Sequence, residues 1–186
     1  MEILSFRSAG EFRRWLERNH RKSEGIWLRI FKKASGEASI TYAEALEEAL
    51  CFGWIDGQKR THDADSWRQK FTRRRAKSGW SKRNTEHAER LIAAQQMKAA
   101  GLAEVEAAKK DGRWTAAYDS PSKASVPEDF LAALGKDKKA MAFFESLNRA
   151  NQYAIAYRLQ TAKKAETRAR RVEIILGMMK RGEKFH

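Results

Sequence analysis

Cysteine, proline and long apolar runs are scarce in this 186-residue sequence. The single cysteine, Cys51, excludes an internal disulfide and a cysteine-rich metal cage. With two prolines, 42% hydrophobic and 33% charged residues, the composition is typical of a largely helical globular protein. No stretch approaches the roughly 18 apolar residues of a membrane span, and the first residues lack the pattern of a signal peptide. We therefore expect a cytoplasmic protein.

Acidic residues are also in the minority, so the formal net charge is +14 and the pI is near 10.1. Such a charge attracts polyanions such as nucleic acid, anionic lipid headgroups or phosphorylated small molecules. Net charge alone does not distinguish between these partners.

Signals for conventional catalysis are weak, and we expect no cofactor and no metal site. The four histidines have no metal-ligand spacing: His20, His62, His87 and His186. The segment THDAD, residues 61–65, is more typical of a polar turn than of a metal site. Cys51 lies at an apolar helix end, where a small buried side chain is expected.

Two capping patterns mark helix starts in the first half of the chain. Ser8 with Glu11 predicts an opening helix, and Thr41 with Glu44 predicts a second helix that ends at Gly53. Bulky residues at 25–33 favour a strand between these helices.

Two further strands are predicted around the polar turn at residues 62–65, as an antiparallel hairpin. Helical spacing returns from about Ser78 and continues to Gly112. This order predicts an α+β fold whose amino-terminal domain combines helices with an antiparallel sheet.

The stretch YDSPSKASVPEDF, residues 118–130, contains both prolines and is the best linker candidate. We therefore predict an α+β domain over residues 1–118 and a helical bundle over residues 119–186. The last helix has an apolar stripe formed by Val172, Ile175, Leu176 and Met179. Its basic flanks suit an anionic membrane or nucleic acid, although such a stripe more often packs into its own bundle.

The most unusual segment is FTRRRAKSGWSKRN, residues 71–84. Between residues 68 and 84 there are eight cations and no acid: Arg68, Lys70, Arg73, Arg74, Arg75, Lys77, Lys82 and Arg83. Cations are unfavourable around the start of the predicted helix unless an anion binds there. Ser78 and Ser81 then either cap the helix or donate to the anion, and Trp80 offers a stacking face.

Alternation along the strand lets Arg73 and Arg75 share one face, whereas Arg74 points to the other. The alternative is a solvated basic surface whose arginines pair with the acids at residues 44–48. Asp56, in GWIDG, is the one candidate acid or base, although a structural role at a bend or bulge is favoured.

With these motifs in view, the chain resembles the YdeI/OmpD-associated family, also labelled bacteriocin-protection proteins. Five segments carry the resemblance in order: TYAEALEEALCFGWIDGQKR, FTRRRAKSGWSKRN, AAGLAEVEAAKKDGRW, VPEDFLAAL and AKKAETRARRV. The matching positions are Asp56, Arg74, Arg75, Ser78, Trp80, Ser81 and Asn84. Arg73 stands where the family pattern has proline.

The resemblance implies an α+β domain related to the YjbR/CyaY-like fold and a helical carboxy-terminal region. It also implies a link to tolerance of bacteriocins or antimicrobial peptides. Those peptides are mostly cationic, so a protein of charge +14 should not sequester them directly.

Three functional hypotheses follow. The first is a non-enzymatic protein with an anion-binding surface formed by Arg74, Arg75, Ser78, Trp80, Ser81 and Asn84. The second is a nucleic-acid-binding module that uses the same surface and the terminal helix. The third is an enzyme that acts on a phosphorylated or carboxylated small molecule with Asp56 as acid or base.

Overall fold

A computed structural model describes residues 1–120 and 124–186. Pro121, Ser122 and Lys123, within the predicted linker, lie outside the described residues. The strands are β1 (Ile3–Ser5), β2 (Ile26–Phe31), β3 (Trp54–Thr61) and β4 (Ser66–Arg73). The α-helices are α1 (Ala9–Asn19), α2 (Tyr42–Cys51), α3 (Lys82–Ala93), α4 (Ala99–Lys110), α5 (Glu128–Leu134), α6 (Lys138–Glu145), α7 (Arg149–Gln160) and α8 (Ala165–Arg181). The α+β class is confirmed.

The strands form one sheet in the order β1-β2-β4-β3. Strands β3 and β4 are the predicted antiparallel hairpin, and β4 also pairs antiparallel with β2. Strand β1 was not predicted, and it pairs in parallel with β2 through Ile3 and Trp27. The sheet is therefore mixed rather than antiparallel throughout.

Helices α1 and α2 build the core on one face of this sheet. Phe12 of α1 and Phe71 of β4 are both 0% exposed, with ring centres 5.9 Å apart. Trp54 of β3 meets Trp15 of α1 edge to face at 5.7 Å. Burial alternates along β2, as a sheet with one core-facing side requires.

Helix α2 begins and ends through local chemistry that its sequence encodes. The Thr41 hydroxyl accepts a hydrogen bond from the Glu44 N–H, and the Glu44 carboxylate accepts from the Thr41 N–H at 2.8 Å. Gly53 follows the helix with a φ of 73°, which a side chain would disfavour. The predicted capping box is therefore confirmed.

The chain divides into two compact units. The first comprises Met1–Trp80 and Asn84–Thr115, and the second comprises Ser81–Arg83 and Ala116–His186. In the second unit, α5 to α8 surround a core that includes Phe130, Leu134, Ile155, Ile175 and Met179. The α8 stripe thus packs into its own bundle. No helix in the described part of the chain has both the length and the apolar character to span a membrane.

Candidate anion-binding site

The segment after β4 forms a turn before α3 begins. The Arg74 N–H donates to the Gly53 carbonyl at 3.0 Å, which anchors the chain beside the end of α2. The Ser78 N–H then donates to the Arg75 carbonyl at 2.8 Å, and the Arg75 N–H donates to the Ser78 hydroxyl at 3.1 Å. Because α3 starts only at Lys82, Ser78 closes this turn instead of capping the helix.

Arg74 and Trp80 lie together and are buried. The Arg74 Cζ atom is 3.6 Å from the centre of the Trp80 ring, and its Nη1 donates to the Gly79 carbonyl at 3.2 Å. Arg74 is 7% exposed and Trp80 is 2% exposed. Trp114 adds a tilted ring contact to Trp80 at 4.9 Å. The Trp80 ring therefore packs inside the protein, whereas the sequence predicted that it would offer a stacking face to a ligand.

Arg113 is a buried arginine that the sequence analysis missed. It is 4% exposed, and its Nε donates to the Asp111 carboxylate at 2.7 Å. Its Nη1 donates to the Ser78 carbonyl at 2.9 Å, which ties the end of α4 to the turn. In the sequence, Arg113 was marked only by its place in the segment AAGLAEVEAAKKDGRW, beside Trp114.

The other residues of the predicted surface differ in exposure and position. Arg75 is exposed, whereas Asn84 is 9% exposed in the first turn of α3. Ser81 forms a parallel bridge with Tyr118. Two contacts within the predicted set are described above, that of Arg74 with Trp80 and that of Arg75 with Ser78.

A cavity of about 270 Å³ lies beside the end of β4 in the first unit. Its walls are formed by His20, Arg21, Phe52, Gly53, Arg73, Arg74, Ala100 and Glu104. Three of these residues are arginines and one is an acid. Arg73 and Arg74 share the cavity because β4 ends at Arg73, so strand alternation no longer separates them.

Close packing of α4 against the end of α2 shapes this cavity. A Cβ atom on Gly53 would lie 2.9 Å from the Ala100 carbonyl oxygen, and one on Gly101 would lie 2.5 Å from the Cys51 carbonyl oxygen. The Lys98 N–H donates to that Cys51 carbonyl at 3.0 Å. Glycine at both positions therefore lets the amino-terminal end of α4 approach the cavity.

The cavity is electropositive. The amino-terminal end of α4 carries a partial positive charge near Ala100, and the side chain of its N-cap residue, Lys98, makes no capping hydrogen bond. Arg73 forms an ion pair with Glu24 and also donates to the Arg21 carbonyl at 3.4 Å. Arg21 is exposed, and no ion pair with a described residue occupies its guanidinium. The Arg21 guanidinium is therefore accessible from solvent at the cavity wall.

The acids at residues 44–48 have other partners than the basic run. Glu44 caps α2, Glu47 pairs with Arg90, and Glu48 pairs with Arg13 at 2.7 Å. Burial raises the pKa of Glu48, and the Arg13 guanidinium opposes that rise. Among the described residues, these acids therefore do not neutralise Arg73, Arg74 or Arg75.

Asp56 lies on β3 and is half-buried. Its carboxylate accepts a hydrogen bond from the Tyr42 hydroxyl at 2.8 Å, and a β-bulge follows it before Lys59. The favoured structural position at a bulge is observed, and the Tyr42 hydroxyl is a partner of the carboxylate. Asp56 does not line the cavity that contains Arg74.

Cys51 and Asp63 of the THDAD turn are the remaining candidates for chemistry. Cys51 is 2% exposed, and burial raises the pKa of its thiol, which keeps it in the unreactive form. Asp63, in the hairpin turn, accepts from the Ser66 hydroxyl at 2.7 Å. Within residues 1–120 and 124–186, no three His, Cys, Asp or Glu side chains are grouped closely enough to hold a metal.

Two family models match the chain. Residues 4–104, more than half of the chain and the whole of the cavity wall, match a domain of unknown function (DUF8412). The chain belongs to the DUF8412 family. Residues 123–182 match the family described as Bacteriocin-protection, YdeI or OmpD-Associated. The resemblance to YdeI/OmpD-associated proteins is thus confirmed in the carboxy-terminal region of this DUF8412 protein. No curated protein and no solved structure matches the chain.

Proposed function

We propose that this DUF8412 protein is a non-enzymatic binding protein that holds a small anionic molecule in the cavity of its first unit. The observation that carries the proposal is the convergence of Arg21, Arg73 and Arg74 on one cavity of about 270 Å³. The arginine fork suits phosphate and carboxylate oxygens, because it donates two parallel hydrogen bonds to them.

The three arginines have different roles in this proposal. Arg74 is held by Trp80 and by the Gly79 carbonyl, so little side-chain entropy is lost when it binds an anion. Arg73 is already paired with Glu24, which leaves Arg21 as the most available cation. Glu104, on the same wall, favours a ligand that also carries a hydroxyl or amino group.

The enzymatic alternative depended on Asp56, and it loses support because Asp56 does not face this cavity. The YdeI/OmpD-associated match supports a role in bacteriocin or antimicrobial-peptide tolerance. That role is indirect, because a protein of charge +14 repels cationic peptides. We propose that an anionic small molecule, and not the peptide, is the ligand.

Calorimetric titration with inorganic phosphate and pyrophosphate tests this proposal. We expect saturable one-to-one binding in the wild-type protein. Arg21→Ala should weaken the affinity about tenfold, which corresponds to the loss of one charge-assisted hydrogen bond. Arg21 is exposed, so this variant should retain its stability.

Arg18→Ala is the matched control, because Arg18 is an exposed arginine at the end of α1 that does not line the cavity. We expect its affinity to stay within about twofold of wild type. Equal weakening in both variants would mean that the anions respond only to net charge, and the cavity proposal would then be wrong.

A further inference from the structure

The sheet has a second face, opposite to α1 and α2, on which basic and aromatic side chains alternate. Strand register places six of them on this face: Trp27, Arg29, Phe31, Arg60, Arg68 and Lys70. We call these six residues the outer sheet face. The core-facing positions between them on β2 are buried, whereas Trp27, Arg29 and Phe31 remain partly exposed.

Three arginines stand in one row across three strands of this face. Arg29 on β2 is directly opposite Arg68 on β4, and Arg68 is directly opposite Arg60 on β3. Like charges in directly opposite positions destabilise a sheet. Among the described residues, only Arg29 has a compensating acid: its Nη2 donates to Asp63 at 2.7 Å, and its Nε donates to the Ser66 hydroxyl at 2.9 Å.

Arg60 and Arg68, the rest of the row, have no acidic partner among residues 1–120 and 124–186. Asp56 is the one acidic residue within the four strands, and its carboxylate is bound to Tyr42 of α2, on the core side. In the described part of the chain, Arg60, Arg68 and Lys70 form no ion pair, and the buried Nε of Arg68 has no hydrogen-bond partner. Arg60, Arg68 and Lys70 therefore carry positive charge that no acid in the described part of the chain pairs with.

Aromatic rings lie among these cations. The guanidinium carbons of Arg60 and Arg68 are 5.1 Å and 5.4 Å from the centre of the Trp27 ring, and that of Arg29 is 4.2 Å from the Phe31 ring. Aromatic rings and guanidinium planes both provide stacking surfaces for unpaired bases. Planar groups and uncompensated cations thus occur together on one side of the sheet.

We propose that the outer sheet face binds single-stranded nucleic acid, with phosphates at Arg60, Arg68 and Lys70 and bases stacked on Trp27 and Phe31. An acidic peptide would use the cations but would not need the rings. A duplex hides its bases from a sheet face, so its affinity would be lower. The proposal is independent of the anion cavity, because neither Arg21 nor Arg74 belongs to this face.

Fluorescence anisotropy with labelled oligo(U) and oligo(dT) of about 12 nucleotides measures this binding. Three uncompensated cations predict that log affinity falls with log salt at a slope of about −2. Binding of either strand supports the proposal, and the two arms show whether RNA or DNA is preferred. A duplex or poly-glutamate bound as tightly as the single strands would overturn it.

Two charge-reversal variants distinguish binding at this surface from a general effect of net charge. Arg60→Glu should weaken oligonucleotide binding at least about tenfold and make the salt slope shallower. Arg18→Glu changes the net charge equally but lies on α1, and it should weaken binding less than about threefold. Equal losses in the two variants would overturn the proposal.

The aromatic contribution is tested at Trp27. Trp27→Ala should weaken binding about tenfold, whereas Trp27→Phe should stay within about threefold of wild type, because a phenyl ring still stacks.

Photocrosslinking of wild-type protein to an oligonucleotide with 5-iodouridine avoids any effect of substitutions on folding. Crosslinks in the peptide with Trp27 and Phe31 support the proposal, and crosslinks confined to residues 74–84 or to α8 overturn it.

Discussion

The guanidinium carbon of Arg74 lies 3.6 Å from the centre of the Trp80 ring. Both side chains are buried, and the Gly79 carbonyl accepts one hydrogen bond from the same guanidinium. A buried cation is stabilised by a ring and an acceptor that stay in position. The contact therefore orders the chain between β4 and α3 and fixes Arg74 at the cavity wall.

Removing this buried cation should destabilise the protein. We expect Arg74→Ala to lower the free energy of unfolding by about 2–4 kcal/mol, from lost packing on Trp80 and a lost hydrogen bond. Urea unfolding followed by tryptophan fluorescence measures the change. Arg75→Ala, at the exposed neighbouring position, should cost less than about 0.5 kcal/mol. Equal stability of the two variants would contradict a structural role for the Arg74 contact.

Features governed by neighbours in sequence were predictable. The cap formed by Thr41 and Glu44, the hairpin around residues 62–65 and the stripe that buries Ile175 and Met179 all follow from local spacing. Strand β1 was missed because three residues give too little periodicity, and only its pairing with β2 makes it a strand.

The candidate sites depend on residues that are distant in sequence. Arg21 follows α1, Gly53 follows α2 and Ala100 lies in α4, and only tertiary packing brings them to one cavity. Trp80 packs against Trp114, a contact that could not be predicted from the basic run itself. Likewise, the row of arginines on the outer sheet face depends on the register between strands that are not adjacent in sequence.

The close approach of α4 can be tested with two glycines of similar backbone conformation. Gly53 and Gly36 have φ values of 73° and 75°. A Cβ atom at Gly53 would have neighbours within 4 Å, whereas one at Gly36 would meet no described atom within that distance. Gly36→Ala should cost about 1–2 kcal/mol for its conformation alone. Gly53→Ala should cost about 1–3 kcal/mol more, because its methyl group would meet the Ala100 carbonyl.

Thermal unfolding with and without phosphate measures both effects in this pair. We expect Gly53→Ala to weaken phosphate binding as well, because the clash moves α4 at the cavity wall. Gly36→Ala should bind phosphate like wild type. Equal stability of the two variants would contradict the close contact between α4 and Gly53.

Two adjacent isoleucines on α8 test the packing of the carboxy-terminal bundle. Ile175 is 1% exposed within the bundle core, whereas Ile174 is 54% exposed. Ile175→Ala should lower the stability of the second unit by about 2–5 kcal/mol, and Ile174→Ala by less than about 0.5 kcal/mol. Hydrogen exchange of α5 to α8 measures the difference. Equal protection in both variants would contradict the observed orientation of α8.

The cap of α2 predicts a specific dependence of stability on pH. Hydrogen bonds from the Thr41 backbone N–H and hydroxyl hold the pKa of the Glu44 carboxyl below its ordinary value of 4.5. A carboxyl whose pKa is lowered in the folded state stabilises the protein at pH values above its ordinary pKa. This contribution is lost as the pH falls through the lowered pKa.

Glu44→Gln should therefore be less stable than wild type at neutral pH, and the difference should shrink as the pH falls below 4.5. Other carboxyls with lowered pKa values, such as Asp63 and Asp129, titrate in both proteins and cancel in this comparison. Urea midpoints across the acidic range measure the difference. Glu89→Gln, an exposed site on α3, makes the same chemical change without a cap and should show no such convergence. A stability difference for Glu44→Gln that stays constant across this range would show that the carboxylate does not cap α2.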